Sequence, residues 1–249
     1  MKKKIAVLTG AGVSAESGFA TFRDSGGLWE KYDVGDVASI EGWYRNRKLV
    51  LDFYNGLREQ LKAASPNAAH YAIASLEKDY DVCVITQNVD NLHERAGSTN
   101  IIHLHGELTK VRPEHGIYDD TGSEREVIDV GYDKVVLGDK APNGVQLRPH
   151  IVFFGEAVPK IEAAIDVVSE ADIFLIVGSS LQVYPAAGLY RYARPDAPIY
   201  IIDPKDVPVH DPRVILIKDV ATKGMEEFKK TFGIPEKVSI FAVPKKKEV

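Results

Sequence analysis

Short apolar runs, rich in β-branched residues, recur along the whole chain. They cover residues 4–10, 81–87, 100–106, 150–155, 172–178, 198–203 and 214–218. Each is almost continuously hydrophobic rather than alternating, which is typical of strands buried on both faces. Segments with helical patterning lie between them, at residues 65–78, 159–169, 185–193 and 222–231. This alternation predicts an α/β fold built on a doubly wound, Rossmann-like parallel sheet.

Two long stretches interrupt the alternation. Residues 26–64 look helical but are too long for a simple crossover, and residues 107–147 combine Pro, Gly and Asp with scattered β-formers. We expect both to be insertions that form a smaller module. The prediction is one domain over residues 1–249, with a core from about 1–25, 65–106 and 148–249 and a module from about 26–64 and 107–147.

Charge and composition narrow the classes of partner. The net charge is −5, so no broad basic surface favours a nucleic acid. No apolar stretch approaches the ~20 residues that span a bilayer, and no signal peptide is recognised. The single cysteine, Cys83, lies in an apolar run and allows no internal disulfide. We therefore expect a monomeric cytoplasmic protein without a membrane or nucleic-acid partner.

Small polar residues follow several of the predicted strands, where α/β sheets bind ligands. The first such stretch, GAGVSA at residues 10–15, fits the pattern G-x-G-x-x-A between a strand and a helix. Glycines there let backbone N–H groups approach a diphosphate, although such turns also occur for packing reasons. A nicotinamide dehydrogenase would carry an acidic residue ~20 positions on, at the end of its second strand. Here the next strand ends in Gln87 and Asn88, which argues against that class.

His103 and His105 stand two residues apart at the end of the run IIHLHGEL. On a strand, side chains at i and i+2 share one face, so both rings could reach one ion. Two buried core residues, or one catalytic base beside a structural neighbour, fit the spacing equally well. The spacing alone leaves these three readings open.

Six motifs in order resemble those of the sirtuins, the NAD-dependent protein lysine deacylases. They are GAGVSAESGFATFR, TQNVDNLHERAG, HLHGEL, HIVFFGE, VGSSLQVYPAA and IIDPK. The resemblance runs from about Lys4 to the C-terminal helix. Because it covers nearly the whole chain in family order, it is highly specific.

The resemblance implies a role for each matching residue. The implied NAD-binding residues are Gly10, Ala11, Gly12, Ser14, Ala15, Glu16, Gly18, Phe22, Arg23, Gln87, Asn88, Asp90, Gly178, Ser179, Ser180, Asp203 and Ala221. Those implied for the acyl-lysine peptide are Tyr54, Leu57, Val152, Phe153, Phe154, Gly155 and Glu156. His105 matches the general base and Asn88 a second catalytic residue, whereas His103 matches no family role.

The resemblance also implies a reaction. The bond to nicotinamide breaks with oxocarbenium character, the acyl oxygen captures the ribose carbon, and His105 takes a proton from a ribose hydroxyl. The products would be lysine, nicotinamide and O-acyl-ADP-ribose. An NAD-dependent ADP-ribosyltransferase is the alternative, because the same oxocarbenium serves both. A non-catalytic NAD sensor would lack the base or the nicotinamide pocket.

The chain departs from the family pattern in two places. Most sirtuins hold zinc on four cysteines, but residues 107–147 contain none, so zinc is not expected. A site from His103, His105 and His115 would consume the base. The module must then be stabilised by apolar packing, for which we expect Val111, Ile117, Tyr118, Val127, Ile128, Tyr132, Val135, Val136 and Leu137.

The second departure concerns the acyl pocket. Sirtuins that prefer succinyl- and malonyl-lysine place a Tyr and an Arg three residues apart on a helix. Here Tyr54 is kept, Leu57 stands at the Arg position, and Arg58 follows one residue later, about 100° around the helix. An acyl carboxylate without its arginine partner is costly to bury. We therefore expect a preference for neutral acyl groups.

Overall fold

A computed structural model describes residues 2–19, 32–115 and 127–232. Its strands are β1 (Lys4–Thr9), β2 (Asp81–Thr86), β3 (Ile101–His103), β4 (Gly106–Pro113), β5 (Ile128–Asp129), β6 (Leu147–Ile151), β7 (Ile173–Val177), β8 (Ile199–Ile202) and β9 (Val214–Ile217). Its α-helices are α1 (Gly12–Ala15), α2 (Val34–Val37), α3 (Ile40–Arg45), α4 (Arg47–Ala63), α5 (Ala68–Leu76), α6 (Leu92–Ala96), α7 (Ile161–Glu170) and α8 (Ala221–Thr231). A 3₁₀ helix covers Ala186–Tyr192, where the pattern predicted an α-helix.

Six strands form the main sheet, in the order β3-β2-β1-β7-β8-β9. All of its pairings are parallel, as the continuous apolar runs predicted. On one face, Val7, Val84 and Leu175 pack with residues of α5 and α8. On the other face, Leu8 and Phe174 pack with residues of α7 and the 3₁₀ helix. Because helices cover both faces, the prediction of a doubly wound α/β sheet is confirmed.

A second, three-stranded antiparallel sheet has the order β5-β4-β6. The run at residues 150–155 was expected to form a strand alongside the other apolar runs. Instead the strand is β6, which ends at Ile151 and pairs with β4, so that prediction is wrong. Apolar periodicity reports burial and cannot tell which sheet a buried strand joins. The proposed boundaries of core and module stay a prediction.

Glycine is required where β4 begins. Gly106 has φ +85 and pairs with Ile151, and a Cβ at this position would collide with the His150 carbonyl oxygen. The chain therefore turns directly from β3 of the main sheet into β4 of the small one. His105, at the turn, is placed beside both sheets.

A separate apolar cluster lies between α4 and the small sheet. Val111 and Val135 are buried in it, Ile128 and Tyr132 pack against it, and Val127 is half-buried. Val136 and Leu137, also predicted to pack there, are instead 50% and 57% exposed, so that part of the prediction is wrong. They lie in a turn in which the Val136 and Asp139 backbones hydrogen-bond, and the turn carries their side chains outward. Ile117 and Tyr118 lie outside the described residues.

Two polar side chains of α4 hydrogen-bond to backbone groups of β4 and of the segment that follows β5. Buried Asn55 donates to the Val135 carbonyl at 2.9 Å and accepts from the Val135 N–H at 3.0 Å. Arg58 donates to the Leu108 carbonyl at 2.8 Å and to the Asn55 side chain at 2.9 Å. These bonds satisfy backbone groups on two segments of the cysteine-free insertion. They provide a cross-link that packing alone would lack.

Within the described ranges, no helix is both long enough and apolar enough to cross a membrane.

We expect the Asn55→Ala substitution to destabilise the fold by about 2–3 kcal/mol. The substitution leaves the Val135 N–H, the Val135 carbonyl and one Arg58 N–H buried without the hydrogen bonds that Asn55 makes to them. Urea unfolding followed by circular dichroism would measure the change. Asn100→Ala, at an exposed position, is the matched control and should change stability by less than about 0.5 kcal/mol. Equal stability of the two variants would contradict the cross-link.

Candidate active site

The carboxyl ends of β1 and β7 meet through backbone contacts. The Gly10 N–H donates to the Val177 carbonyl at 3.1 Å, and the Gly12 N–H donates to the Gly178 carbonyl at 2.9 Å. A Cβ on Gly10 would lie 2.6 Å from the Gly178 oxygen, and Gly178 itself has φ +63. Only residues without a side chain allow these two loops to touch. The predicted glycines of both motifs are therefore brought together at one edge of the sheet.

A buried polar cluster joins the first loop to the end of β2. The Ser14 hydroxyl donates to the Asp90 carboxylate at 2.9 Å. The Asn88 amide donates to Ser14 Oγ and to the Gly10 carbonyl, both at 3.1 Å. Three residues predicted from separate motifs thus bond directly to one another. Their orientation is set before any ligand arrives.

Asp90 is almost fully buried, at 2% exposure. Burial raises the pKa of this carboxyl, while hydrogen bonds from the Leu92 N–H and the Ser14 hydroxyl oppose the rise. A carboxyl held in this way can accept from an amide without rotating. It is suited to a carboxamide-bearing ligand.

The other predicted cofactor residues within the described ranges lie on the segments that follow β1, β2, β7, β8 and β9. Gln87 donates its side-chain amide to the Ser179 hydroxyl at 2.8 Å, which links the ends of β2 and β7. Asp203 is buried just beyond β8, and half-buried Ser180 follows Ser179. Gly18 has φ +72 in the turn after α1, and Ala15 is exposed at the end of that helix.

Glu16 has a structural contact that the motif did not predict. Its carboxylate accepts from the Thr222 N–H at 3.0 Å and from the Thr222 hydroxyl at 2.7 Å. The contact fixes the start of α8, where Ala221 is buried, against the end of α1. A role for Glu16 and Ala221 in cofactor binding stays a prediction. Phe22 and Arg23 lie outside the described residues.

His105 is half-buried in the turn between β3 and β4. Its Nδ1 lies 2.9 Å from the Gln87 carbonyl oxygen, which can only accept, so Nδ1 carries the proton and Nε2 keeps its lone pair. Burial lowers the pKa of His105, and the bond to Gln87 partly offsets this. The ring is therefore a neutral base at pH 7 with its free nitrogen defined by the backbone.

His103 is more deeply buried and has different partners. Its Nε2 lies 2.6 Å from Glu94 Oε1, and its Nδ1 lies 3.4 Å from the Asn88 carbonyl oxygen. The two histidines therefore do not share a ligand. Among the described residues, the group whose ligand atoms converge enough to hold a metal is Glu94, His103 and Glu107. It includes neither His105 nor His115, the other members of the three-histidine site considered from the sequence.

The residues predicted for the acyl pocket lie in the apolar cluster beside α4. Tyr54 is buried 5.7 Å from the Phe153 ring, and burial raises the pKa of its phenol. Leu57 is 1% exposed. Arg58 is also buried, which lowers its pKa to about 10, and it is held on the Leu108 carbonyl. The expectation that Arg58 does not replace an arginine at position 57 stays a prediction.

The segment predicted to pair with a peptide already makes internal backbone bonds. The Val152 N–H donates to the His105 carbonyl at 2.9 Å, and the Phe154 N–H donates to the Ala38 carbonyl at 2.8 Å. The Glu156 carboxylate receives two bonds from Arg148, at 2.7 and 2.9 Å, and one from the Phe153 N–H at 2.8 Å. Phe153 is buried, whereas Phe154 is 48% exposed. Peptide pairing through residues 152–156, including Gly155, stays a prediction and must use their remaining groups.

Sequence reasoning missed a buried chain of side chains beneath the site. His93 Nε2 lies 3.0 Å from the Thr9 hydroxyl, and that hydroxyl donates to Thr86 at 2.9 Å. Thr86 in turn accepts from the Asn88 N–H at 3.0 Å. The signal was available, because a Thr ends each of two adjacent apolar strands and His93 lies within a recognised motif. The chain fixes where β1 and β2 end relative to each other.

Comparison with known proteins identifies the family. A profile described as "Sir2 family" matches residues 10–185. An NAD-dependent protein deacylase of Bacteroides thetaiotaomicron is 55% identical over 228 residues, which cover 91% of this chain and 97% of that protein.

Two solved structures show the same architecture. One is a mutant Sir2 homologue in complex with ADP-ribose, with a TM-score of 0.81, 35% identity and coverage of 94% of this chain and 95% of that chain. The other is a Sir2 homologue–NAD complex, with a TM-score of 0.80, 36% identity and coverage of 92% and 89%. The prediction from the ordered motifs is confirmed, and the chain belongs to the Sir2 family, the sirtuins.

Proposed function

We propose that the protein is an NAD-dependent protein lysine deacylase that forms nicotinamide and O-acyl-ADP-ribose. The observation that carries this proposal is the half-buried imidazole of His105, with Nδ1 fixed on the Gln87 carbonyl beside the Ser14–Asn88–Asp90 cluster. Relatives named NAD-dependent protein deacylase, at 51–55% identity over nine-tenths of this chain, support it.

The residues at the sheet edge fit the chemical groups of NAD. The loop at Gly10–Gly12 and the turn at Gly178 touch at the carboxyl edge of the parallel sheet, where doubly wound folds bind the diphosphate of a dinucleotide. The Ser179 hydroxyl and the Asp203 carboxylate suit ribose hydroxyls, and a carboxylate at residue 203 disfavours a 2′-phosphate. The buried Asp90 and Asn88 side chains suit the nicotinamide carboxamide. NAD supplies an electrophilic ribose carbon when nicotinamide leaves.

Different residues of the chain then orient the cofactor and move the proton. Asn88 and Asp90 orient the nicotinamide end, since both are held by Ser14. Burial favours the neutral ring of His105, and the Gln87 carbonyl holds its one proton on Nδ1, so Nε2 can remove a proton from a ribose hydroxyl. The half-buried ring limits the access of water until the acyl oxygen has captured the ribose carbon; one water is then consumed when lysine is released from the acyl group.

The substrate is an acyl-lysine in a protein or peptide. We propose that the acyl group packs beside the buried apolar cluster that contains Tyr54, Leu57 and Phe153, and that the peptide approaches over exposed Phe154. We place the enzyme in the cytoplasm as a monomer. The chain has a single cysteine, so no internal disulfide requires an oxidising compartment. Cys83 is buried, and burial raises its pKa to about 11, so its thiol is unreactive.

Replacement of His105 by Ala should reduce deacylation by about 10²–10⁴-fold, the usual contribution of a general base. NAD binding, measured by calorimetry, should persist. His210→Ala, at an exposed histidine, is the control and should keep wild-type activity. The assay should quantify nicotinamide, O-acyl-ADP-ribose and ADP-ribosylated protein together. Undiminished deacylation in His105→Ala, or ADP-ribosylated protein as the main product, would contradict the proposal.

The acid limb of the pH profile should lie below the ordinary histidine pKa of 6.5, because burial lowers the pKa of His105. Activity is present while the ring is neutral, and it is lost as the pH falls through this lowered pKa. The value of kcat/KM for an acetyl-lysine peptide, measured from pH 5 to pH 8 at saturating NAD, would locate the limb. A midpoint at or above 6.5 would be inconsistent with a base in this environment.

Acetyl-lysine peptides should be turned over at least about tenfold more efficiently than succinyl-lysine peptides, because an unpaired buried carboxylate costs more than ~1.4 kcal/mol. The test compares kcat/KM for two peptides that differ only in the acyl group. Equal efficiency would refute this preference. If Arg58→Met then selectively removed succinyl activity, Arg58 would be the missing carboxylate partner.

A further inference from the structure

His103 is a buried titratable residue that the proposed chemistry does not use. It ends β3 and is paired in register with Thr86 at the end of β2. It stands two residues before His105, and both rings point an Nδ1 at successive carbonyls of the chain after β2, those of Gln87 and Asn88. Of these two, Asn88 belongs with Asp90 to the proposed nicotinamide end of the site.

The partners of the His103 ring determine its protonation state. Nε2 faces the Glu94 carboxylate at 2.6 Å, and Nδ1 faces the Asn88 carbonyl at 3.4 Å. Both partners only accept at neutral pH, so the ring satisfies both only as an imidazolium with two N–H groups. A neutral ring has one N–H and must leave one acceptor unbound.

The surrounding charges favour the imidazolium. Burial lowers the pKa of His103, but Glu94, Glu107 and the Asn88 carbonyl raise it more, so the pKa is above its usual value. The charged or titratable groups around the ring are Glu94 and His93 on α6, Asp90 in the preceding loop, and Glu107 and Lys110 on β4. The positive ring in turn helps Asp90 to remain a carboxylate.

Asn88 depends on its backbone for its position. Its N–H is held by Thr86 at 3.0 Å, and its side chain reaches the Gly10 carbonyl and Ser14 at 3.1 Å. The Asn88 carbonyl belongs to the next peptide unit, Asn88–Val89, and His103 Nδ1 lies 3.4 Å from it. If that bond is lost, the Asn88–Val89 unit can rotate, which changes the backbone angles that direct the Asn88 side chain and the path of the chain to Asp90.

We propose that His103, held as an imidazolium by Glu94, is a positioning residue that fixes the Asn88–Val89 peptide unit and so orients Asn88 and Asp90 for the nicotinamide end of NAD. This inference rests on the proposed function. It assigns a role to the second histidine, which acts through Asn88 and does not touch the reacting atoms.

Two conservative substitutions test the two hydrogen bonds of the His103 ring one at a time. The amide of His103→Asn can replace Nδ1–H and still donate to the Asn88 carbonyl, whereas the longer amide of His103→Gln reaches toward Glu94 and leaves Asn88 unbound. We expect His103→Gln to raise KM for NAD and weaken inhibition by nicotinamide by about tenfold, the effect of one charge-assisted hydrogen bond. His103→Asn should stay within about threefold of wild type. KM for the acyl peptide should be unchanged in both variants.

The pH dependence of KM for NAD gives a second readout. Above the raised pKa of His103, the single remaining N–H should stay on the Glu94 carboxylate, so KM for NAD should increase in the wild type as the pH rises through this raised pKa. In Glu94→Gln the side-chain amide can donate to Nε2, which leaves the one N–H of a neutral ring on Nδ1. KM for NAD in this variant should therefore be near the wild-type value at pH 7 and independent of pH.

Several outcomes would overturn the inference. Equal KM values in His103→Asn and His103→Gln, with parallel losses of melting temperature, would show only a role in folding. An effect of EDTA on the wild type that equals the His103→Gln effect would show that Glu94, His103 and Glu107 act by holding a metal ion. A wild type that binds no NAD by calorimetry would refute the proposed function itself. NAD turnover in the wild type with unaltered variants would refute only this inference.

Discussion

The contact between the glycine loops after β1 and β7 is the constraint on which the site depends. Gly10, Gly12 and Gly178 allow the two backbones to hydrogen-bond at distances that any Cβ would prevent. This contact holds Ser14 beside Asn88 and Asp90 and brings Ser179 within reach of Gln87. A side chain at one of these glycines would therefore disturb both the loop contact and the polar cluster.

Backbone carbonyls set the chemistry of the two histidines. His105 faces one carbonyl, which fixes its tautomer and leaves Nε2 as a base. His103 faces a carbonyl and a carboxylate, which together favour the doubly protonated ring. Two identical side chains two residues apart thus have pKa values shifted in opposite directions. The largest contribution to the rise at His103 comes from the Glu94 carboxylate, with smaller ones from Glu107 and the Asn88 carbonyl.

The module beside the sheet shows how an insertion without cysteine is held in place. Asn55 and Arg58 bind backbone groups of Val135 and Leu108, while Arg148 and Glu156 fix the segment that follows β6. Buried hydrogen bonds to charged groups are worth ~1.5–3 kcal/mol each, enough for a few of them to matter to a small module. The arrangement keeps Tyr54 and Phe153 in contact next to the proposed acyl pocket.

The sequence by itself determined the parallel sheet, the family and most candidate site residues, because continuous apolar runs and glycine-rich strand ends are local patterns. It could not assign residues 147–151 to the antiparallel sheet or show that Val136 and Leu137 are exposed, because burial depends on partners distant along the chain. Nor could the spacing distinguish His103 from His105. The family resemblance assigned the base to His105, and only the tertiary structure showed the different partners of the two rings, since the acceptors near each ring nitrogen come from α6 and from the chain after β2.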